Sequence, residues 1–449
     1  MSADTADNAD NGGSSAFMRT LRKCNDFRGT PAAVLTVSTM AVFADTVVYG
    51  LIVPFLPDIL QNRLHMSSSA NGILFGCFGA GVLVGAPVSA YISDRWKIRK
   101  WPMVVGLLGL GATSVLFAFS TAFWELVVAR LAQGVSSGIT WAVGLGMIAD
   151  VYGGEGIGKA MGTAFSGFVL GYLGGPVLGG LIYGAGGTHA IAIFVGAITA
   201  VDLGFRLLLK ETKQPEPEPG SEVDAPPKRR TTMWDLLKEW PILACCVATI
   251  TVTGASGSFE PTLPIHMYEQ YGSSSTIIGV VFIALVVPNV IVGPIAGHYT
   301  DDVRLLNMVA PYGRFAFMIA GSLLAAIAIA CVGATHNIAG LVVNLAVVGF
   351  LSGIAAVPIM STMGVHVHRN GGDAYAKVYA LFNIAYSIGV IIIPTALPPI
   401  MNAVGFAATM GIVSAILVLG AIVLAIQPTR MLRKHGRSAF LGEDALPFL

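Results

Sequence analysis

Long apolar runs separated by short polar segments recur along the whole chain. A helix needs about 20 such residues to cross the hydrocarbon core of a bilayer. Strands are a poor alternative, because the runs lack alternation of period two and are too long for the strands of a barrel. The pattern therefore predicts an all-α integral membrane protein with twelve transmembrane helices, at 34–57, 70–93, 102–121, 124–149, 160–183, 188–208, 241–266, 274–299, 309–333, 338–364, 376–400 and 404–427.

The composition agrees with a membrane protein. Of the 449 residues, 54 % are hydrophobic and 11 % are charged, whereas soluble domains carry about 25 % charged residues. The net charge of +1 gives no electrostatic footprint for nucleic acid. A soluble enzyme, a disordered protein and a nucleic-acid binder are thereby excluded. We expect a monomer whose partners are the lipid bilayer and a small-molecule substrate.

The basic residues give the spans an orientation. With both termini in the cytoplasm, 24 of the 26 Lys and Arg residues fall on the cytoplasmic side, Arg63 falls outside and Arg130 lies within a span. Such an excess is typical of cytoplasmic loops, and an error of one span would scramble it. We expect a multi-pass protein of the plasma membrane, with a vacuolar or vesicle membrane as the alternative.

A single long polar stretch between spans, 211–230, separates six spans from six. Its Pro, Glu and Lys content is typical of a disordered linker, and Trp234, Leu237 and Trp240 beyond it suggest a short interfacial helix. The predicted organisation is a disordered cytoplasmic arm, a six-helix half, a cytoplasmic linker, a second six-helix half and a cytoplasmic tail, at 1–33, 34–209, 210–240, 241–427 and 428–449.

The two halves repeat the same proline pattern. Pro54-Phe-Leu-Pro57 corresponds to Pro261-Thr-Leu-Pro264 at an offset of 207 residues, the difference between 261 and 54. Pro87 stands seven residues before Asp94, and Pro294 stands seven before Asp301, again 207 residues later. Two independent matches at one offset indicate duplicated halves. Transporters built from such repeats hold their substrate between the halves, near the membrane midplane.

These and other residues resemble the major facilitator superfamily over almost the full chain. Asp94-Arg95 and the basic residues up to Lys100 are similar to the Gly-x-x-x-Asp-Arg-x-x-Arg-Lys signature of that family. Arg130-Leu-Ala-Gln-Gly resembles its Arg-x-x-Gln-Gly motif, and the glycine-rich run 171–180 resembles the motif associated with its antiporters. The resemblance implies two six-helix pseudo-repeats that expose a central site to the two sides of the membrane in turn.

Within the family, the chain resembles the twelve-helix drug:proton antiporters, including the vesicular amine transporters and their fungal relatives. Asp45 stands nine residues before Pro54, as their substrate-binding aspartate does, and Glu260-Pro-Thr-Leu-Pro resembles their Glu-Pro-x-Leu-Pro. The segment from Tyr379 to Tyr386 follows their span 11. Most of their charged amine-binding network is replaced, by Phe78, Ala356 and Asn383.

Asp45 is the first candidate for the mechanism. A carboxylate within a span costs about 2.5–3.5 kcal/mol on insertion scales, so we expect it to face a cavity or a partner. It is either a proton site, a ligand for a cationic group, or both in competition; the alternative is a carboxyl that only joins helices. Tyr49, one turn further on, is expected to share its face and donate to it.

Glu260 and Arg130 are the next candidates. We expect Glu260 to face Asp45, where it carries a proton or closes an outer gate, unless it is exposed at a frayed helix end. Arg130 needs a carboxylate, a carbonyl group or water, and either relays protons, orients the substrate or holds helices together. Three further side chains are expected to line the cavity: Tyr379, Asn383 and Tyr386.

Two groups of residues are predicted to act in gating. Asp94, Arg95 and Asp301 lie in cytoplasmic loops, where carboxylates cap helix N-termini and pair with arginine. The span-5 residues Gly175, Pro176, Gly179 and Gly180 permit close helix approach and a bend that opens or seals the cavity. The alternative for this second group is tight packing alone.

The sequence thus predicts a secondary active transporter that exports a small organic solute by proton antiport: a secondary metabolite, a drug-like compound or an organic acid. The alternatives are an exporter of a small organic acid such as itaconate, a facilitator without proton coupling, or a receptor that does not transport. No Walker sequence and no metal-ligand spacing occur, so we expect a proton gradient, no cofactor and no metal. The sequence shows no pairing of a nucleophile with a base that would indicate an enzyme.

Overall fold

The computed structural model of the protein describes residues 29–67, 69–96, 98–152, 157–210, 232–301, 309, 312–369 and 375–435. These residues are helical almost throughout, and among them no strand occurs. The predicted N-terminal arm up to residue 28, the linker from 211 to 231 and the tail from 436 lie outside the described residues.

The first half consists of five long helices: α1 (Pro31–Leu51), α2 (Ser69–Trp96), α3 (Lys100–Phe119), α4 (Phe123–Tyr152) and α5 (Ile157–Leu208). A three-residue helix, Leu56–Asp58, and a π-helical turn, Ile59–Arg63, follow α1. The second half begins with a short helix and a broken one and continues with five long helices: α6 (Met233–Lys238), α7 (Trp240–Gly257), α8 (Phe259–Tyr271), α9 (Ser275–Asp301), α10 (Arg314–Gly333), α11 (Ile338–Arg369), α12 (Tyr375–Val404) and α13 (Phe406–His435).

Eleven helical stretches of the described chain are long and apolar enough to cross a membrane, with α7 and α8 counted as one stretch. The 52 residues of α5 would measure about 78 Å as one straight helix, more than twice a hydrocarbon core of about 30 Å. Gly186 and Gly187 leave helical geometry within it, so α5 supplies two crossings. With α5 counted twice, the eleven stretches give the twelve crossings predicted, and the all-α membrane fold is confirmed.

Helix ends differ from the predicted spans where local chemistry decides them. The first helix begins at Pro31 rather than 34, because the Thr30 hydroxyl caps it by accepting from the Ala33 N–H at 3.2 Å. Tyr271 ends α8 five residues later than predicted, before Gly272 in left-handed geometry. Beyond the linker, the suggested short helix is present as α6, and Thr232 and Asp235 form a capping box at its start.

The two halves pack their helices in the same order. In the first half α2 packs on α4 and α1 packs on α5; in the second half α9 packs on α11 and α7 packs on α12. The outer pair α3–α5 likewise corresponds to α10–α13. This correspondence is what duplicated halves produce.

Two helix pairs join the halves, α2 with α12 and α5 with α9. Both contacts depend on glycine: a Cβ at Gly72 would lie 3.1 Å from Pro398, and one at Gly180 would lie 3.0 Å from the Gly279 Cα. We call the end of the bundle that holds residues 52–67, 272–274 and 334–337 the outer end, following the predicted orientation, and the opposite end the inner end.

Candidate functional site

Three ionisable side chains are buried in the middle of the bundle. Asp45 on α1 is 2 % exposed, Arg130 on α4 is 0 % exposed, and Glu260 at the start of α8 is 3 % exposed. Two of them belong to the first half and one to the second. The site therefore lies where the halves meet, as the repeat predicts.

A break in the helix places Glu260 there. The chain turns at Ser258, between α7 and α8, and Pro261 and Pro264 follow. A proline removes a backbone donor and displaces the carbonyl four residues earlier. Asn71 on α2 meets this break, because its side-chain amide donates to the Pro261 carbonyl at 2.8 Å. The expectation of an exposed Glu260 at a frayed end is wrong.

Asp45 is held by α4. Its Oδ2 accepts hydrogen bonds from the Ser137 hydroxyl at 2.6 Å and from the Trp141 indole N–H at 3.2 Å. Its Oδ1 is buried and has no hydrogen-bond partner among the described residues. Ser137 and Trp141 follow Arg130 at seven and eleven residues, so one face of α4 carries all three. That spacing was the signal by which the sequence could have identified them.

Tyr49 binds the carboxylate of the other half. Its hydroxyl donates to Glu260 Oε2, and Tyr172 on α5 interacts with the same carboxylate. The predicted hydrogen bond from Tyr49 to Asp45 is therefore wrong: the long phenol reaches past its own helix to α8. Glu260 faces these two tyrosines, and the described hydrogen-bond donors of Asp45 come from α4 instead.

Arg130 is enclosed by aromatic rings. Its guanidinium carbon lies 5.3–5.7 Å from four ring centroids, those of Tyr49, Phe75, Phe78 and Phe117. It donates one hydrogen bond, from Nη1 to Gln133 Oε1 at 3.3 Å, and Gln133 in turn donates to the Ser114 hydroxyl at 2.9 Å. Its Nε and Nη2 have no hydrogen-bond partner among the described residues.

The direct contacts of the Arg130 guanidinium are thus mainly π faces, and Glu260 interacts with its charge without a direct ion pair among the described residues. An arginine over aromatic rings gains about 0.5–2 kcal/mol per good contact, most when water is excluded. This arrangement was not expected from the sequence. Phe78 is one of the four rings.

Aromatic side chains also line the space between the halves toward the inner end. Phe168 on α5 contacts Trp141, Tyr172 and, across the halves, Tyr386, with ring centroids 5.2–5.7 Å apart. Phe165 approaches Phe382 of the second half at 6.2 Å. The expectation that Tyr386 faces the centre agrees with this contact. Asn383 is half-buried, and the Tyr379 side chain lies outside the described part.

The span-5 glycines are packing positions. A Cβ at Gly175 would lie 2.7 Å from the Gly50 Cα, and one at Gly179 would overlap the Leu51 carbonyl on α1. Gly180 meets α9 of the other half, where the Thr276 hydroxyl donates to its carbonyl at 3.1 Å. Pro176 packs against Gly50. Gating by this run stays a prediction.

The predicted inner clamp stays a prediction, because the side chains of Asp94 and Asp301 lie outside the described part; Arg95 is exposed. Among the described residues at this end, Arg99 forms a bidentate pair with Asp150 at the end of α4, at 2.8 and 3.4 Å. In the second half, His366 pairs with Glu239. An ion pair in the first half and a histidine–carboxylate contact in the second half thus join helix ends at the inner side.

The outer end is closed by hydrogen bonds between the halves. Gln61 donates to Glu269 at 3.1 Å, and Asn62 donates to the Tyr268 hydroxyl at 2.6 Å. A third bond runs from Asn402 to Ser69 at 3.0 Å. Polar contacts of this kind are easily exchanged for water, so they suit a barrier that opens and closes.

The described residues contain no group of three His, Cys, Asp or Glu side chains placed to hold a metal ion. The central site instead offers two carboxyl groups, one guanidinium, several phenols and an aromatic wall. Carboxyl groups in such surroundings are suited to exchanging protons, and an aromatic wall is suited to holding a small organic molecule.

Comparisons with known proteins point the same way. The family model described as Major Facilitator Superfamily matches residues 38–394, and matches again over 245–446. The synaptic vesicular amine transporter of Rattus norvegicus is 30 % identical over 361 residues, which are 80 % of this chain and 65 % of that protein. The MFS-type transporter ppzB of Metarhizium majus is 28 % identical over 332 residues, 62 % of this chain and 72 % of that protein.

The chain thus spans just under two thirds of the length of that vesicular transporter. Among solved structures, a bacterial homologue of the human lysosomal transporter Spinster, in an inward-facing and unoccupied conformation, is 13 % identical with a TM-score of 0.69, covering 89 % of this chain and 95 % of that one. The human organic anion transporter MFSD10 (TETRAN) is 17 % identical with a TM-score of 0.63, covering 88 % and 99 %. These two similarities show the fold.

Proposed function

The chain belongs to the Major Facilitator Superfamily, a family of membrane transporters, and on this premise we propose that it exports a small organic solute in exchange for protons. It is a multi-pass membrane transporter and not an enzyme. The substrate, the proton coupling and the direction of transport are what the proposal adds.

The observation that carries the proposal is the hydrogen bond from Tyr49 to Glu260 between the halves, beside two further buried charges. Alternating access requires the halves to move relative to each other, so this bond must break and re-form in each cycle. When Glu260 carries no proton, its negative charge in this buried place is balanced by phenol dipoles and by Arg130. A proton on Glu260 removes that charge and loosens the connection.

Asp45 is the second proton site of the proposal. Its Oδ2 has two donors and its Oδ1 has none among the described residues, so the free oxygen is available for a proton or for a cationic group. Because both ligands neutralise the same charge, one displaces the other. Competition of this kind at a buried carboxylate is a direct route to antiport.

The outer hydrogen bonds define the blocked side in this conformation. With bonds such as Gln61–Glu269 in place, a solute would exchange with the inner side, as the first step of export requires. The aromatic wall around Phe168 and Tyr386 suits a solute with a flat apolar body, since such faces bind planar and cationic groups. A secondary metabolite or drug-like compound has this character.

A second candidate substrate is a small organic acid. The Nη2 of Arg130 has no hydrogen-bond partner among the described residues, and a planar guanidinium is well suited to a carboxylate. An anion at this place would require Asp45 and Glu260 to be protonated together. Export of an acid would then move protons with the substrate rather than against it, which the direction of the proton flux reveals.

The test is flux in sealed vesicles that contain the purified protein, with an imposed pH gradient and panels of amines, acids and neutral drugs. Uptake that collapses with the gradient supports antiport, and Asp45→Asn should then abolish accumulation while downhill flux persists. Glu125→Gln is the matched control, because that carboxyl caps the start of α4 at the outer end. Accumulation that is insensitive to the gradient contradicts antiport, and equilibration without accumulation indicates a facilitator.

The cellular setting is part of the proposal. We place both termini in the cytoplasm on the basis of the basic residues, and the protein in the plasma membrane, with a vacuolar or vesicle membrane as the alternative. Protease protection of a tag at each terminus tests the orientation. We expect both tags to be protected in intact cells and both to be cleaved after permeabilisation.

A further inference from the structure

A buried ion pair in the first half has no part in the functions described above. Asp202 and Arg206, one helical turn apart near the inner end of α5, are each 1 % exposed. Arg206 donates to Asp202 Oδ2 from Nη2 at 2.7 Å and from Nε at 3.1 Å. Its Nη1 donates to the Met103 carbonyl on α3, so the guanidinium is fixed on two sides.

This pair and Asp45 share one compartment inside the first half. Met103 packs in a cluster with Val37 of α1 and Val143 of α4, which places the guanidinium on the inner side of Asp45 along α1. Arg206 and Asp202 are the charged groups that interact with Asp45 among the described residues, alongside the dipoles of Ser137 and Trp141.

Unpartnered polar atoms occupy the space between. The hydroxyls of Ser38 on α1 and Thr140 on α4 are 0 % exposed and lack hydrogen-bond partners within the described chain. Asp202 Oδ1 and Asp45 Oδ1 are likewise buried and lack hydrogen-bond partners among the described residues. Buried polar atoms normally have a partner, so four such atoms on three facing helices mark a polar interior that does more than pack.

A purely structural ion pair is the competing explanation. Replacing such a pair by other residues is often neutral for stability, and a buried pair is weak evidence for stabilisation. Other hydrogen bonds also hold α5 at this end, since Lys100 donates to the carbonyls of Leu207 and Leu209 at 2.8 and 2.7 Å. The burial of two opposite charges next to a candidate proton site therefore calls for a functional reason.

We propose that Asp202 and Arg206 control proton exchange at Asp45 from inside the first half, as positioning residues of the coupling mechanism. The proposal rests on the proposed role of Asp45 as a proton site. The positive guanidinium favours an ionised Asp45, and the Asp202 carboxylate opposes it. Because Arg206 is tied to Met103 on α3, a movement of α3 or α5 relative to α1 changes this balance during the transport cycle.

Opposite shifts of the pH midpoint of Asp45 in variants of Asp202 and Arg206 distinguish control of proton exchange from a packing role. Proton binding to Asp45 is read in the purified protein from the infrared carboxyl band that disappears in Asp45→Asn. Asp202→Asn should move the pH midpoint of this band down by about one unit, and Arg206→Gln should move it up by about as much, as expected for charges about 10 Å away at an effective dielectric near 20.

Further variants keep the test decisive. Arg206→Lys retains the charge and should restore the wild-type midpoint, and the double variant Asp202→Asn/Arg206→Gln removes both charges and should return close to it. If Arg206→Gln does not fold, Asp202→Asn and the double variant carry the comparison. The Arg99–Asp150 pair is the matched control in the same half, and Asp150→Asn should leave the midpoint in place.

The outcomes separate this inference from the proposed function. Midpoints that stay at the wild-type value, or that move in the same direction in both single variants, overturn the role of the pair even if vesicle flux shows antiport. Opposite midpoint shifts in a protein whose flux ignores the pH gradient support the pair and reject proton-coupled export.

Discussion

The Tyr49 hydroxyl and the Glu260 carboxylate form a hydrogen bond between the two halves, although 211 residues separate them in the chain. Tyr49 also lies within 5.7 Å of the Arg130 guanidinium and packs on Phe78 at 4.6 Å. One phenol therefore connects the carboxyl of the second half to the buried cation of the first. A change in the protonation of Glu260 acts on both halves at once.

Removing this hydroxyl tests the connection. Tyr49→Phe keeps the ring over Arg130 and leaves Glu260 without its donor from α1. A hydrogen bond to a charged group is worth about 1.5–3 kcal/mol, so we expect the rate of gradient-driven transport to fall roughly tenfold or more. Stopped-flow flux in vesicles measures it. Tyr183→Phe is the control, because that hydroxyl donates to Asp58 at 2.6 Å within the first half. Equal effects of the two variants would refute a special role for Tyr49.

The aromatic enclosure predicts that Arg130 tolerates no replacement by lysine. An ammonium group has neither the flat face that contacts four rings nor the fork that reaches Gln133. We expect Arg130→Lys to lose at least nine tenths of the flux, about as much as Arg130→Gln. Thermal unfolding of the purified variants, followed alongside flux, separates lost function from lost folding. Activity of Arg130→Lys near that of wild type would show that charge alone suffices.

Two neighbouring glycines of α5 give a controlled test of close packing. A Cβ at Gly175 would meet the Gly50 backbone at 2.7 Å, whereas a Cβ at Gly174 meets nothing within 4 Å. Gly175→Ala should therefore destabilise the protein by about 1–3 kcal/mol, seen as a lower thermal midpoint in detergent. Gly174→Ala should be neutral or slightly stabilising, since alanine is the better helix former. If both variants melt alike, α1 and α5 are not in tight contact.

Cross-linking tests the role of the outer hydrogen bonds. Cysteines at Gln61 and Glu269, in a background without the native cysteines, should react with a short bifunctional thiol reagent, because the parent side chains lie within 3.1 Å. Transport should stop on cross-linking and return when the linker is cleaved. Cysteines at Asp58 and Tyr183, both in the first half, form the control pair. Undiminished flux with Gln61 and Glu269 joined would mean that the outer end does not open.

Much of the fold follows from the sequence because a bilayer leaves few solutions. Lipid offers no partners for backbone groups, so apolar runs of sufficient length must be helices, and repeated prolines such as Pro54 and Pro261 reveal duplicated halves. The same logic identifies Asp45, Glu260 and Arg130, because charges within spans are rare and expensive. All three are buried, and Glu260 forms a hydrogen bond across the interface of the halves.

The sequence did not predict which side chains pair with those charges. Sequence spacing suggested that Tyr49 serves Asp45, and it did not single out Arg99 and Asp150 as a pair. In the structure Tyr49 serves Glu260, and the described inner pair of the first half is Arg99–Asp150. Spacing along one helix defines a face, but a long side chain chooses among neighbours on other helices.

The sequence by itself determined that this is a helical membrane protein with two related halves, a small set of buried ionisable residues and an orientation marked by basic residues. Tertiary structure alone decided that aromatic rings surround Arg130, that Asn71 meets the break before Pro261, and that Asp202 and Arg206 are buried in the same half as Asp45. The reason is physical. Whether a segment crosses the membrane depends on the apolar residues of that segment itself, whereas hydrogen bonds and π contacts depend on ångström-scale distances between helices far apart in the chain.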